Sequence, residues 1–87
     1  MEIMLLSKKI KFRTETADGK KIVFCYDVRT DTYFAMNYKY FTALQLLQQG
    51  TTSDELYSRC KDINCDVLVR GLLYRGLLCR KYEGSNE

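Results

Sequence analysis

Four cysteines are the residues of this sequence whose type is best suited to chemistry, because thiolates bind zinc and attack electrophiles. They are Cys25, Cys60, Cys65 and Cys79. Structural zinc sites usually draw their thiolates from two paired C-x-x-C knuckles, whereas here only Cys60 and Cys65 lie close together. The spacing therefore favours four reduced, mostly buried thiols and no bound metal, with a zinc site built from all four thiolates as the alternative.

Other parts needed for catalysis are missing. The chain contains no histidine, which removes the commonest general base and the commonest metal ligand. A cysteine nucleophile would then need another activator, and no glycine-rich phosphate loop occurs. Asp27 and Asp31 flank a predicted turn, where their carboxylates suit turn hydrogen bonds. We expect a protein that is not an enzyme and that uses no cofactor.

The charge of the chain is mildly positive and unevenly distributed. The net charge is +3, and the basic residues gather in the first quarter of the chain and near its end: Lys8, Lys9, Lys11, Arg13, Lys20 and Lys21, then Arg70, Arg75, Arg80 and Lys81. Such a distribution steers acidic partners and does not require nucleic acid. We see no secretory signal and no apolar run of ~20 residues. We therefore expect a cytoplasmic protein with neither a membrane nor a nucleic acid as partner.

The first half of the chain predicts three strands. The 87 residues suit one domain, with residues 83–87 expected as an unstructured tail. Residues 3–16 form a first strand region, and Asp18-Gly19 predicts a tight hairpin to a second strand over residues 21–27. A turn at residues 28–31 leads to a third strand over residues 32–36. The result is an antiparallel meander in which the third strand lies at an edge.

The second half predicts three helices. The first covers residues 38–49 between an Asn37 cap and Gly50, and the second runs from Thr52 or Ser53 to about residue 61. The third is capped by Asn64 or Asp66, runs to about residue 75 and precedes Gly76. Residues 77–82 form a closing extended segment. The fold class is α+β: a three-stranded antiparallel sheet followed by a three-helix winged-helix-like motif, in the order βββααα.

The third helix has two distinct faces. A wide apolar stripe is expected in the core: Cys65, Leu68, Val69, Leu72 and Leu73. The second face carries Val67, Arg70, Gly71 and Tyr74, at spacings of three and four. Glycine within a helix costs about 1 kcal/mol relative to alanine, so Gly71 indicates the close approach of another backbone. Two interpretations stay open: internal packing against the third strand or the first helix, or the floor of a groove beside the third strand.

Two segments of the chain resemble a known family. Residues 26–37 read YDVRTDTYFAMN and residues 70–78 read RGLLYRGLL. An Asp-and-Thr turn, an aromatic strand that ends in Met36-Asn37 and a late apolar helix make the chain similar to the PqqD-like family, from about Ile10 to Tyr82. Members of this family are the precursor-peptide recognition elements of ribosomally synthesised, post-translationally modified peptides. The proline that often follows the hairpin asparagine is replaced by Tyr38.

The resemblance implies a function in peptide binding. The leader segment of a precursor peptide would add as a fourth strand to the third strand and lie against the third helix, which is β-augmentation. By position, the strand residues would be Thr32, Tyr33, Phe34, Ala35 and Met36. The helix residues would be Val67, Arg70, Gly71, Tyr74 and Arg75, whose arginines suit a leader that carries Asp or Glu. A second partner would be a modifying enzyme such as a radical-SAM enzyme, a cyclodehydratase or a leader peptidase.

Two other classes of protein compete with this interpretation. A winged helix also suggests DNA binding, for which a recognition helix should present several Arg, Lys, Asn, Gln or Ser residues to base edges. After its cap, the third helix has only Arg70, Tyr74 and Arg75 as polar residues. The third class is a structural subunit that docks on an enzyme without touching substrate. Residues 1–6 would then be its contact, or else a frayed strand.

Overall fold

The structure is a computed structural model that describes residues 2–82. Its strands and α-helices follow in the order β1 (Glu2–Leu6), β2 (Ile10–Ala17), β3 (Lys20–Asp27), β4 (Thr32–Asn37), α1 (Phe41–Gln49), α2 (Ser53–Arg59), α3 (Cys65–Tyr74) and β5 (Leu78–Tyr82). One turn of 3₁₀ helix, Tyr38–Tyr40, joins β4 to α1. The predicted second and third strands are therefore β3 and β4. The expected tail at residues 83–87 lies outside the described part of the chain.

Strands β2, β3 and β4 form one antiparallel sheet in that order, as the sequence predicts. The hairpin between β2 and β3 turns at Asp18 and Gly19, whose φ angles are 53° and 77°. Positive φ at both central residues is what a type I′ turn requires, which explains the Asp-Gly signal. On β3 the inward residues Val23 and Cys25 are fully buried, while the alternate residues face outward. Strand β4 pairs only with β3 and so lies at an edge of this sheet.

The prediction of one strand region over residues 3–16 is wrong. The chain reverses at residues 7–9, where the Lys9 amide donates to Ser7 Oγ at 3.0 Å. This turn separates β1 from β2, and β1 pairs antiparallel with β5 in a second sheet, with Met4 opposite Arg80. Met4 and Leu6 are 2% and 4% exposed. Residues 2–6 are therefore not a frayed strand, because they pair with β5 and the side chains of Met4 and Leu6 belong to the core, whereas Ile3 and Leu5 are only half-buried.

Side-chain caps begin the helices where the sequence predicts them. Asn37 accepts a hydrogen bond from the Lys39 amide at 3.0 Å, and the first turn after it is 3₁₀ rather than α. Thr52 caps α2 by accepting from the Glu55 amide at 3.1 Å. Asn64, rather than Asp66, caps α3 by accepting from the Val67 amide at 3.1 Å. These bonds satisfy amide donors that the first turn leaves without partners.

The core lies between the three-stranded sheet, the helices and β1. It contains the predicted stripe of α3, except that Leu73 is only half-buried, and the fully buried Leu44 and Leu47 of α1. The predicted class, α+β with a three-stranded antiparallel sheet followed by three helices, is confirmed, and the sheet of β1 and β5 is an addition to it. Among residues 2–82, no helix has the length and apolar composition to cross a membrane.

The cysteines are free thiols, and Cys25, Cys60 and Cys65 are buried while Cys79 is exposed. The prediction of mostly buried cysteines is confirmed. Burial raises the pKa of the Cys25 thiol to about 11, against an ordinary value of 9.0. Burial also raises the pKa of Cys60 and Cys65. Within the described residues, no three His, Cys, Asp or Glu side chains cluster closely enough to hold a metal ion.

Candidate functional site

An open groove of about 320 Å³ lies between β4 and α3. Phe34, Ala35 and Met36 form the wall from β4. The wall and floor on the other side consist of Val67, Leu68, Gly71 and Leu72 of α3 and of Arg75, the residue that follows α3, and Tyr40 contributes from the 3₁₀ turn. Apart from Arg75, the side chains that line the groove carry no charge. The groove is therefore an apolar channel with a cation in its wall.

The edge of β4 borders this groove. Phe34 and Met36 are half-buried and pack against the core, whereas Tyr33 and Ala35 are exposed. Because β4 pairs with β3 on one side only, its other side presents backbone amides and carbonyls that no described strand pairs with. No residue of Thr32–Asn37 is charged. Such an edge can accept a further strand with regular main-chain hydrogen bonds.

Gly71 keeps the floor of the groove open. A Cβ atom at this position would meet no atom within 4 Å outside its own part of the helix. The interpretation that Gly71 permits close packing inside the protein is therefore wrong, because its side faces open space. A glycine without an internal packing reason leaves room for another backbone to approach α3.

Arg75 lies over the side chain of Phe34 in the wall of the groove. Its guanidinium carbon lies 4.6 Å from the centre of the Phe34 ring, a cation–π contact that joins α3 to β4. The cation therefore stands above an apolar wall, where an acidic side chain of a ligand would find both a charge partner and an aromatic neighbour.

Arg29 fixes the end of α3 relative to the β3–β4 turn. Its Nη2 donates to the Arg75 carbonyl at 2.8 Å and to Asp27 Oδ2 at 3.0 Å. Its Nη1 donates to the Gly76 carbonyl at 3.3 Å. The Arg29 hydrogen bonds lower the pKa of the buried Asp27 carboxyl below its ordinary value. These bonds therefore tie the turn between β3 and β4 to the chain that follows α3, next to the groove residue Arg75.

The structure brings together six of the ten predicted site residues as groove lining: Phe34, Ala35, Met36, Val67, Gly71 and Arg75. Thr32 and Tyr33 lie on β4 outside the lining, and Tyr33 stacks on Tyr26 on the opposite face of the sheet. Arg70 and Tyr74 are exposed on α3 beside the groove, and Tyr74 is 93% exposed. A role for these four residues depends on a ligand that extends beyond the groove.

Sequence reasoning missed four residues of the site. Leu68 and Leu72 belong to the core stripe and also line the groove, because they lie at the border between the two faces of α3. Tyr40 was assigned to the first helix and lines the groove from the 3₁₀ turn. Arg29 carried no signal beyond its place in a turn, since its carbonyl partners lie 46 and 47 residues away.

No protein-family model, curated protein or solved structure matches the chain.

Proposed function

We propose that this chain binds the leader segment of a ribosomally synthesised precursor peptide and presents the peptide to a modifying enzyme. The observation that carries the proposal is the uncharged edge of β4 beside an apolar groove with a glycine in its floor. Resemblance to the PqqD-like family implies the same ligand. The proposal includes a winged-helix-like arrangement of α1, α2 and α3.

The leader would bind as a strand antiparallel to β4. Main-chain hydrogen bonds to β4 supply affinity for any extended peptide, and side-chain pockets supply selectivity. Every second side chain of the leader would enter the groove beside Phe34 and Met36, since successive side chains of a strand point to opposite sides. In the antiparallel sense, the carboxyl-terminal side of the leader leaves near Thr32 and the amino-terminal side lies near Asn37.

Selectivity would come from the groove walls. Apolar side chains of the leader suit the floor formed by Leu68, Gly71 and Leu72. Arg75 in the wall and Arg70 beside it suit an Asp or Glu of the leader. The chain itself supplies no catalytic group in this role, and the partner enzyme carries the chemistry. Because precursor peptides are made on ribosomes, the binding step belongs in the cytoplasm.

Amide hydrogen exchange with a synthetic leader peptide tests this proposal. The peptide is taken from a short precursor gene that neighbours the gene of this chain, and a peptide of the same composition in scrambled order is the control. Exchange at residues 32–36 should slow on binding, while the opposite edge strand, β2, exchanges as before. Added DNA duplex should not compete. Protection confined to α2, or equal binding of the scrambled peptide, would show that the placement is wrong.

A further inference from the structure

The groove beside β4 has one charged end. Among the described residues that line it, Arg75 alone carries a charge, and its guanidinium carbon lies 4.6 Å from the centre of the Phe34 ring. Arg29 of the β3–β4 turn donates to the Arg75 carbonyl at 2.8 Å, so the cation lies at the end of the groove nearer this turn. Tyr40, which follows the other end of β4, also lines the groove and is uncharged. The lining therefore changes from charged to apolar along β4.

No carboxylate in the described part of the chain pairs with Arg75. Asp27 approaches through Arg29, but its two carboxylate oxygens accept from the Arg29 guanidinium at 3.2 and 3.0 Å. The Arg75 side chain is exposed, and a guanidinium can bind a carboxylate through two parallel hydrogen bonds. The charge is therefore available to an acidic side chain of a ligand. Within residues 2–82, the four ion pairs are Arg13–Glu15, Asp27–Arg29, Glu55–Arg59 and Glu2–Arg80.

The uncharged part of the groove has room for a large side chain. A Cβ atom at Gly71 would meet no atom within 4 Å outside its own part of the helix. Leu68 and Leu72 line the groove beside it, and Val67 is 59% exposed although it is apolar. A large apolar side chain placed here would remove its own surface and that of Val67 from water, which is favourable.

A strand paired with β4 brings two of its side chains to these two parts of the groove. Residues directly opposite each other in an antiparallel pair carry their side chains on the same face, and every second residue of a strand shares that face. The leader residue opposite Met36 would therefore face the apolar part, and the residue opposite Phe34 would face Arg75. Because the carboxyl-terminal side of the leader lies near Thr32, the residue at Arg75 comes second.

We infer that the leader is recognised through an ordered pattern of three residues: a large apolar residue, any residue, then Asp or Glu. The apolar residue lies opposite Met36, and the acid lies opposite Phe34 beside Arg75. This inference rests on the proposed function, because it specifies the order and spacing of residues within the leader. An acid directly after the apolar residue would point to the other face of the sheet, and an acid two positions before it would lie away from Arg75.

Charge reversal on both partners tests the inference. The probe is the synthetic leader peptide encoded by the neighbouring precursor gene, and each Asp and Glu of this peptide is replaced in turn by Lys. Calorimetry measures the affinity of every peptide for the wild type and Arg75→Glu. Lys81→Glu is the matched control, because Lys81 is also exposed but lies on β5, in the other sheet. A further peptide exchanges the acid that couples to Arg75 with the residue two positions before it, and thermal denaturation is measured for each protein variant.

We expect Arg75→Glu to weaken leader binding about tenfold and Lys81→Glu to change it by less than about twofold. One of the Lys peptides should bind the wild type about tenfold more weakly than the leader does, and should bind Arg75→Glu at least about fivefold better than the wild type. The acid replaced in that peptide should follow a large apolar residue by two positions, and the exchanged peptide should lose about tenfold in affinity. Arg75→Gln, which removes the charge without reversing it, should make binding insensitive to the same acid.

The inference is overturned if no acid of the leader couples to Arg75 or if the exchanged peptide binds as well as the leader. It is also overturned if the coupled acid lies two positions before the apolar residue, which would mean a leader parallel to β4. Each of these outcomes, in a leader that binds the wild type, leaves the proposed function in place. A leader that does not bind the wild type would refute the proposed function together with this inference.

Discussion

The two edges of the three-stranded sheet are built differently. Strand β2 carries Lys11, Arg13 and Glu15 along its length, whereas β4 has no charged residue from Thr32 to Asn37. Charged side chains on an edge strand are a common protection against unwanted strand pairing. The sequence therefore protects one edge and leaves the other open, although both belong to the same small sheet.

The second difference is what lies beside the open edge. Residues of α3 line the groove beside β4, and Gly71 is one of them, so a strand that pairs with β4 would also meet a side wall. Main-chain hydrogen bonds alone would accept any extended peptide, and the wall supplies pockets that distinguish one sequence from another. Under the proposed function, the groove is what would make the uncharged edge of β4 selective for one peptide.

Filling the groove is the change with the largest expected effect on leader binding at β4. Gly71→Leu places four carbon atoms where a Cβ meets open space, so the side chain is accommodated but the leader is not. We expect leader binding to weaken by about 30-fold or more, equivalent to roughly 2 kcal/mol. Folding stability should stay the same or rise by up to about 1 kcal/mol, because leucine is a better helix former than glycine. Calorimetric titration with the leader and thermal denaturation measure the two quantities.

The matched control introduces the same residue one turn away. Tyr74→Leu changes a side chain that is 93% exposed and lies outside the groove lining, so leader binding should change by less than about threefold. If Gly71→Leu lowers the melting temperature sharply and binds the leader normally, the face of Gly71 belongs to the core after all. Equal losses for the two variants would mean that the leader lies outside the groove.

A charge on β4 should make this edge resemble β2. Ala35→Asp adds a carboxylate at an exposed position of the open strand, which opposes the pairing of a further strand and repels an acidic leader. We expect a loss of leader affinity of about tenfold. Thr14→Asp places the same charge at an exposed position of β2 and should leave the affinity unchanged. A greater effect of Thr14→Asp than of Ala35→Asp would assign the peptide to the wrong edge.

Local signals in the sequence predicted much of this fold. Asp18-Gly19 specified the hairpin, and Asn37, Thr52 and Asn64 marked the helix starts, because each of these signals acts through bonds to near neighbours. The partner of β1 could not be read in the same way. Its strand pairs with β5, at the far end of the chain, and no local residue encodes a pairing over that separation.

The residues of the candidate site that could be predicted are those whose positions follow from helical periodicity. The spacing of Val67 and Gly71 placed them on one face of α3, and the groove beside β4 contains both. Periodicity could not show that Tyr33 turns to the opposite side of the sheet, because an edge strand of mixed apolar residues does not indicate which side faces the core. It also could not show the Arg29 contacts, which depend on how close the end of α3 lies to a distant turn.

Removing the hydrogen bonds of Arg29 should weaken leader binding at β4 by less than the two changes above. Arg29→Ala removes the bonds to the carbonyls of Arg75 and Gly76, so the end of α3 can move away from β4. We expect leader binding to weaken by about threefold, since Arg29 acts through the position of α3. Arg29→Lys keeps the charge but not the planar set of donors, and it should lie between the wild type and Arg29→Ala.

The ion pair between Asp27 and Arg29 predicts a pH dependence of the folding stability. Arg29 lowers the pKa of Asp27 in the folded protein, so this pair stabilises the fold above the ordinary value of 3.8, and the stabilisation is lost as the pH falls through the lower folded value. The difference in melting temperature between the wild type and Arg29→Ala should therefore be full at pH 7 and shrink on acidification below about pH 4. A difference that is constant from pH 7 to pH 2 would show that the ion pair does not contribute.

The smallest expected effect is on the reactivity of Cys25, which lies on β3 between the two edge strands. Cys25 lies opposite Phe12 of β2 and Phe34 of β4, so a reagent can reach it when either neighbour moves. Its pKa of about 11 leaves only about one thiolate in a thousand at pH 8, and alkylation should therefore be much slower than at the exposed Cys79. The rate of Cys25 alkylation should rise about tenfold for each pH unit between 8 and 10.

Bound leader should slow the alkylation of Cys25 by about twofold and leave that of Cys79 unchanged, as measured by mass spectrometry after short pulses of iodoacetamide. If the leader does not slow Cys25 although it binds, the reagent enters from the β2 side, and β4 is the more rigid of the two edges.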